Sequence, residues 1–375
     1  MNPRRVAYLC EFPTLLGGER SLLEFLRHRR IAGVDPIVVA PARGRLADAL
    51  AAAGVSHLHL PPRGLRDLDA IAEECIHRQV QIVHGNSLMT ADAALLLGNR
   101  LAIPAVTHVR DMMRLSDAKA ERLRRLDAVV AVSNAVVHWL AQFSVPATCI
   151  YNAIDPAEIR RLANPPTLRK ELNIGPGDLL VGCIGQWALR KGQDLFVRAA
   201  ERVLQRMRAC HFVLIGERYS DKEESVAFEI GLRQAARQGP LQDRLHLLGY
   251  RDDVPSLLAD MSVLVVPSRQ EPLSRTLLEG LALGVPCVAT EVGGNAELLK
   301  GGEYGELVRA DDAERLADGI IQLLAHETRR EELRARTPAW VDRQFSPQKQ
   351  ANALRELYDS LGIERDGGID SDREG

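Results

Sequence analysis

Residues 271–279 read EPLSRTLLE, two glutamates with seven residues between them. The stretch follows the aliphatic, β-branched run VLVVPSRQ and leads into GLALGVP, so it spans a loop and the start of a helix. With a helix beginning near Ser274, the backbone N–H groups of Ser274, Arg275 and Thr276 find no partner inside the helix, and the helix dipole adds partial positive charge. That combination attracts anions. Glu279 falls on the face of Arg275 and Thr276 one turn deeper, while Glu271 stays in the preceding loop. A phosphate held at the helix start would therefore have a carboxylate on either side. Ionised carboxylates accept hydrogen bonds from hydroxyls, which suits a ligand with sugars at both ends of a phosphate bridge. A nucleotide sugar has that form. Taken alone, the spacing fits equally well two solvated acids favoured by the dipole at a helix start.

A second anion-binding stretch lies upstream in VGCIGQWALRKGQDLFVRAA, where a strand ends at Gly185 and a helix can start near Gln193. Arg190 and Lys191 stand just before that helix. Cations there could pair with a diphosphate and offset the charge that builds on it as a bond to it breaks. The plainer alternative is a solvated Arg-Lys pair in a loop.

Both stretches need strands to aim them. Short apolar runs recur through the first 152 residues: VAYLCEF, PIVVAP, HLHLP, QIVHGN, AVTHV, AVVAVS and TCIYN. Helical patterns such as ERSLLEFLRHRR separate them. Strands alternating with helices of this length predict right-handed crossovers and a parallel sheet covered on both faces. A stretch rich in Pro, Gly and Asn follows, and the pattern begins again with LLVGCIG, HFVLIG, LHLLGY, SVLVVPS, PCVATEV and GELVRA. The sequence thus predicts an α/β protein of two doubly wound, Rossmann-like domains facing a cleft, with the boundary near Ile154. The expected domains are 1–153 and 154–344, then a helix over 345–362 crossing back to the first domain and a flexible tail over 363–375.

Composition bounds the function classes. At 375 residues, two domains of about 150 to 200 residues are expected. A formal net charge of −2 gives no reason to expect nucleic acid as a partner. The balance is uneven, with 18 Lys plus Arg against 14 Asp plus Glu in residues 1–153 and 30 against 36 in the rest. The six cysteines show no metal-ligand or thioredoxin-like spacing and read as buried free thiols of a reducing compartment. No run approaches the ~20 apolar residues that cross a bilayer, and the apolar stretch near the start is too brief for a signal peptide core. A cytoplasmic protein is expected.

Taken together and in order, these motifs resemble those of the family-4 glycosyltransferases of GT-B fold. EPLSRTLLE resembles that family's spaced glutamate pair, and RKGQD its Lys-Gly element. EVGGNAEL, VPSRQEP and YNAID resemble further elements of the donor half and linker, while TLLGGERSLLEF, VTHVRD and VVAVSNAV resemble elements of the front half. The resemblance implies a retaining enzyme that uses a nucleotide-sugar donor, most simply UDP- or GDP-linked, with no metal and no cofactor.

The resemblance also implies residue roles. Glu271 would accept hydrogen bonds from the donor sugar and Glu279 from the ribose. Lys191 would pair with the diphosphate beside the amides of Ser274, Arg275 and Thr276. Gly17 and Gly18 would let the first loop approach the donor. His108 would face the transferred sugar, with a satisfied strand-end histidine as the alternative; Tyr250 and Arg251 would lie beside the base. Three departures stand out: Gln186 where an Arg is usual, with Arg190 as its candidate substitute; Ala153 where Gly is usual; and Arg275 where many relatives carry an apolar residue.

The acceptor is expected at the front domain near Glu19, His84, Asn86 and Ser87. The basic runs RHRR and ERLRR would suit a phosphorylated or lipid-linked acceptor and peripheral contact with the inner face of a membrane; a plain solvated helix face explains them as well. A glycan or small-molecule acceptor fits too, and the oligomeric state is open. Two other readings remain: a sugar-nucleotide epimerase on the same architecture, and a donor-binding pseudoenzyme acting as a partner subunit. A dehydrogenase is disfavoured, because GGERSL stands where a G-x-G-x-x-G fingerprint would follow the first strand.

Overall fold

A computed structural model describes residues 3–175 and 177–362. The chain divides into two compact units: one takes everything up to Ala153 together with the segment from Pro347 onward, the other takes Ile154–Ser346. The expected tail over 363–375 lies outside the described residues.

Unit 1 contains strands β1 (Arg4–Leu9), β2 (Val34–Ala40), β3 (Ser56–His59), β4 (Ile82–Gly85), β5 (Ala105–Val109), β6 (Ala128–Ala131) and β7 (Thr148–Cys149). They form one sheet in the order β3-β2-β1-β4-β5-β6-β7, with every pairing parallel. Unit 2 contains β8 (Leu179–Ile184), β9 (Cys210–Ile215), β10 (Leu245–Leu248), β11 (Val263–Val266), β12 (Cys287–Thr290) and β13 (Glu306–Val308). Their order is β10-β9-β8-β11-β12-β13, again all parallel. Each strand was expected from a short aliphatic run, since strands covered on both faces need apolar side chains on both sides. The doubly wound α/β architecture is therefore the one the sequence predicts.

In each sheet the strand order reverses once, between β1 and β4 in unit 1 and between β8 and β11 in unit 2. At such a point the connections leave toward opposite faces, and the carboxyl ends of the two strands part to leave a crevice. Both expected sites lie on loops that leave these strands.

Cores form on the sheet faces. In unit 2, Phe196, Phe212, Leu195 and Val203 pack with Val181, Val263 and Ile320. In unit 1, the helix Pro347–Ser360 supplies Ala351, Leu354 and Tyr358 to a cluster with Tyr8, Phe25, Leu26 and Val106. All six cysteines are free, five of them buried. Among the described residues, no helix is long and apolar enough to cross a membrane.

Candidate active site

In unit 2, the loop after β11 carries Ser268, Arg269, Gln270 and Glu271 into the helix Arg275–Ala282. Ser274 is the N-cap, and its hydroxyl accepts from the Leu277 amide at 3.2 Å. This cap satisfies one of the first-turn donors at the mouth of the helix. Glu271 is buried at 5 % exposure, and one carboxylate oxygen accepts from Lys191 Nζ at 2.5 Å and from the Ser268 hydroxyl at 3.0 Å. A buried carboxylate without such partners would be costly, so the pair fixes both side chains. Glu279 lies one turn into the helix and accepts from Arg275 at 3.1 Å. Arg275 is thus directed back along its own helix, and both side chains are largely shielded.

Two glycines lock this geometry. Gly192, at φ +71°, follows Lys191, and a Cβ there would fall 1.9 Å from the Pro267 carbonyl oxygen. Gly293, at φ +49°, would place a Cβ 1.8 Å from the carbonyl oxygen of Glu271, while the next amide, Gly294, donates to that same oxygen at 3.1 Å. Only glycine fits either position, for reasons of space and of backbone conformation.

The Lys191 turn is clamped to the β11 loop from several directions. The Arg269 amide donates to the Arg190 carbonyl at 2.8 Å, and its guanidinium reaches the Leu189 carbonyl at 2.8 Å and the Asp194 carboxylate at 2.7 and 2.8 Å. Burial alone would raise the Asp194 pKa, but the bonds and charge of Arg269 outweigh it and hold the carboxyl below its usual value. Gln193, 1 % exposed, accepts from the Ala188 amide and donates to the Gln186 carbonyl at 2.7 Å, shaping the turn between β8 and its helix. Gln186 and Arg190 touch each other, with the guanidinium donating to the amide oxygen at 3.2 Å. The residue in the usual Arg position thus lies directly against its candidate substitute.

Tyr250 and Arg251 follow β10. Tyr250 donates to Asp252, and Arg251 is committed to Glu171 at 2.8 Å and Asp253 at 2.7 Å. Arg251 is therefore held by two carboxylates of its own unit.

In unit 1, Gly17 and Gly18 open the helix Gly17–Arg27 after β1. A side chain at Gly17 would meet nothing within 4 Å, whereas one at Gly18 would rest on Arg110. Glu19 reaches back to the Leu16 amide at 3.1 Å; burial raises its pKa, against the pull of those backbone bonds. His84 and Tyr8 are register partners on β4 and β1. His84 is 2 % exposed, and its Nδ1 lies 2.6 Å from the Tyr358 hydroxyl, which in turn lies 2.9 Å from Tyr8. Burial, with a smaller push from the Arg110 charge, brings the His84 pKa down to about 3. Asn86 is buried and donates to the Gly18 carbonyl, and Ser87 caps the short turn after β4. His108, at the end of β5, is 2 % exposed and beside His84 at 5.7 Å between ring centres. Burial is again the main cause that holds its pKa well below the ordinary histidine value.

The structure thus gathers Lys191, Arg190, Gln186, Glu271, Ser274, Arg275, Thr276 and Glu279 around the switch point of unit 2. Gly17, Gly18, Glu19, His84, Asn86, Ser87 and His108 gather around that of unit 1. Ser268, Arg269, Gln193, Arg110 and Tyr358 were not singled out from sequence. The first three lie inside stretches already marked, so their neighbours were the available signal. Nothing local marked Tyr358.

Comparison with known proteins bears on the family and the fold. The family profile "Glycosyltransferase Family 4" matches residues 16–158, and "Glycosyl transferases group 1" matches residues 178–326. The lipopolysaccharide core biosynthesis mannosyltransferase LpsB of Rhizobium meliloti is 28% identical over 340 residues, covering 89% of this chain and 95% of that protein. The N-acetyl-alpha-D-glucosaminyl L-malate synthase of Bacillus anthracis is 27% identical, covering 82% of each chain. Among solved structures, HepE of Anabaena in complex with UDP superposes with a TM-score of 0.82 at 20% identity, over 95% of this chain and 100% of that one. With one profile on each unit and relatives that run the length of both, the chain belongs to the group 1, family-4 glycosyltransferases of GT-B fold.

Proposed function

We propose that the chain transfers a sugar from a nucleoside diphosphate to an acceptor with retained anomeric configuration, using no metal and no cofactor. The observation that carries this reading is the buried Glu271 carboxylate joined to Lys191 Nζ at the mouth of a capped helix. A diphosphate is a natural replacement for Glu271 as the partner of Lys191, because it brings its own negative charge. Glu271, released, then accepts hydrogen bonds from the sugar hydroxyls. Arg190 and the amides of Arg275 and Thr276 share the diphosphate charge, Glu279 takes the ribose, and Tyr250 and Arg251 flank the base. His108 of unit 1 acts on the transferred sugar, and Glu19, Asn86 and Ser87, with His84 beneath them, serve the acceptor.

In this mechanism the bond from the anomeric carbon to the phosphate oxygen breaks, leaving an oxocarbenium-like sugar. The acceptor oxygen bonds to that carbon on the same face, and its proton passes to the departing phosphate oxygen. Lys191 and the helix start stabilise charge where it develops. The donor is a UDP- or GDP-linked sugar: LpsB is named a mannosyltransferase, and HepE was solved with UDP and with UDP-glucose. The acceptor is a glycan, lipid-linked saccharide or small molecule met in the cytoplasm or at the inner membrane face.

Calorimetry against UDP-, GDP-, ADP- and TDP-sugars, followed by product analysis with the donor that binds, tests the reading. One nucleotide sugar should bind, and Glu271→Ala should weaken it. Binding unaffected by that substitution, or conversion of the donor sugar to an epimer without an acceptor, would overturn it.

A further inference from the structure

Arg110 follows the last residue of β5 and joins four separate parts of unit 1. Its Nε donates to the Asn86 carbonyl at 3.1 Å, one terminal nitrogen donates to Asn152 Oδ1, and the other lies 3.1 Å from His108 Nδ1. Its Cδ lies 3.4 Å from where a Cβ on Gly18 would stand. A guanidinium has only donors, so His108 Nδ1 must be the acceptor in this contact. The proton of the neutral ring is then on Nε2, and the tautomer is set by Arg110.

We propose that Arg110 is the positioning residue that holds His108 as a neutral ring with Nε2–H as its only donor. The inference rests on the reading of His108 as the group that acts on the transferred sugar. It supplies a reason for the arrangement. A sugar losing its phosphate gains positive charge, so a neutral donor beside it stabilises hydroxyls without opposing that charge, whereas an imidazolium would oppose it. Arg110 blocks the imidazolium in two ways: it occupies Nδ1, which would otherwise take the second proton, and it places a fixed cation against the ring.

The other titratable neighbours act around the same centre. His84 of β4 lies 5.7 Å away, with Tyr8 of β1 and Tyr358 of the Pro347–Ser360 helix behind it. Glu19, on the helix after β1, feels the charges of Arg110 and of Asp111. Burial is the main cause of the low His108 pKa, Arg110 the next and His84 third, while the Ile150 backbone pulls the other way. Lysine could keep the charge of Arg110 but not its planar, three-way contact.

The test uses full-length protein labelled with 15N-histidine. In the wild type, the His108 ring should show a bare Nδ1 and a protonated Nε2 throughout about pH 5 to 8, the range in which an ordinary histidine titrates. In Arg110→Gln the ring should lose its fixed tautomer, with the proton shared between Nδ1 and Nε2, while burial still keeps it neutral. Its kcat should fall at least about tenfold, while donor KM moves less than about threefold. Arg110→Lys should recover the Nε2–H tautomer in part, and the rate with it. A wild-type ring protonated on Nδ1 overturns the inference, and this measurement needs no variant to fold. An Arg110→Gln rate equal to wild type, or a lowered rate with the ring state unchanged, also overturns it. His108→Ala separates the two layers: a wild-type rate there removes the role given to His108, whatever the tautomer, while a lost rate alongside an unchanged ring in Arg110→Gln removes only the role of Arg110.

Discussion

At the strand ends of unit 2, the side chains are charged and paired: Lys191 with Glu271, Arg275 with Glu279, Arg269 with Asp194. At the strand ends of unit 1, Tyr8, His84, His108 and Tyr358 form a buried, neutral group, with the Arg110 guanidinium against His108. The topological position is the same in both sheets, but the materials are opposite. An ion pair can trade one member for a ligand that carries the same charge, so the unit 2 arrangement is ready for an anion. A buried network of uncharged rings and hydroxyls gains nothing from a charged ligand and loses stability when it is itself protonated. Substitutions at the ion pairs of unit 2 should therefore cost rate, and those in the Tyr8–His84–Tyr358 network of unit 1 stability.

The sharpest test of that contrast is Lys191→Ala or Glu271→Ala. Each should lower kcat/KM by about a hundredfold or more, with circular dichroism unchanged. Rates near wild type in both would erase the distinction. Acid should then act on unit 1. The folded pKa of His84 is about 3 and that of His108 lies well below the ordinary value, whereas both titrate near 6.5 when unfolded. Below pH ~6.5 the unfolded chain binds more protons, so stability is present above that pH and falls as pH drops, by up to ~1.4 kcal/mol per unit for each ring. His211 and His246 of unit 2 contribute with the same sign, both lowered chiefly by burial. Asp194, with a lowered pKa, keeps its contribution until pH falls through the carboxylate range. Urea unfolding at pH 7 and pH ~5.5, watched by a probe in each unit, should show unit 1 weakening more.

Tyr358→Phe should cost ~1–3 kcal/mol, because it leaves His84 Nδ1 and the Tyr8 hydroxyl without their shared partner; thermal unfolding measures it. The smallest effect is expected from Glu279→Gln, which keeps shape and one acceptor. Donor KM should rise by about three- to tenfold with kcat nearly unchanged, and an equal loss in kcat would move Glu279 toward the chemistry.

The two regions also differ in how readable they were. Unit 2 wrote its geometry locally: Lys191 and Gly192 adjoin, Glu271 and Glu279 bracket one helix start, and Gly293 and Gly294 adjoin in EVGGNAEL. Each of those placements follows from a strand, a turn and the first turn of a helix, whose periods are visible in one dimension, although the Lys191–Glu271 pair itself spans 80 positions. The strands were legible for the same reason. Unit 1 depends on meetings that no period announces. Tyr358 reaches Tyr8 across 350 positions, and Arg110 reaches Asn152 across 42. Arg251 makes a further distant meeting of this kind in unit 2, where Glu171, 80 positions earlier, holds its guanidinium.

The helix Pro347–Ser360 adds one more consequence. Ala351, Leu354 and Tyr358 complete a core whose other members precede residue 151, and all of unit 2 is encoded in between. During synthesis the ribosome finishes every strand of the second unit before it delivers the last piece of the first. The half of the protein that is started first is thus the last to close, and until then the hydroxyl that answers His84 has not yet been made.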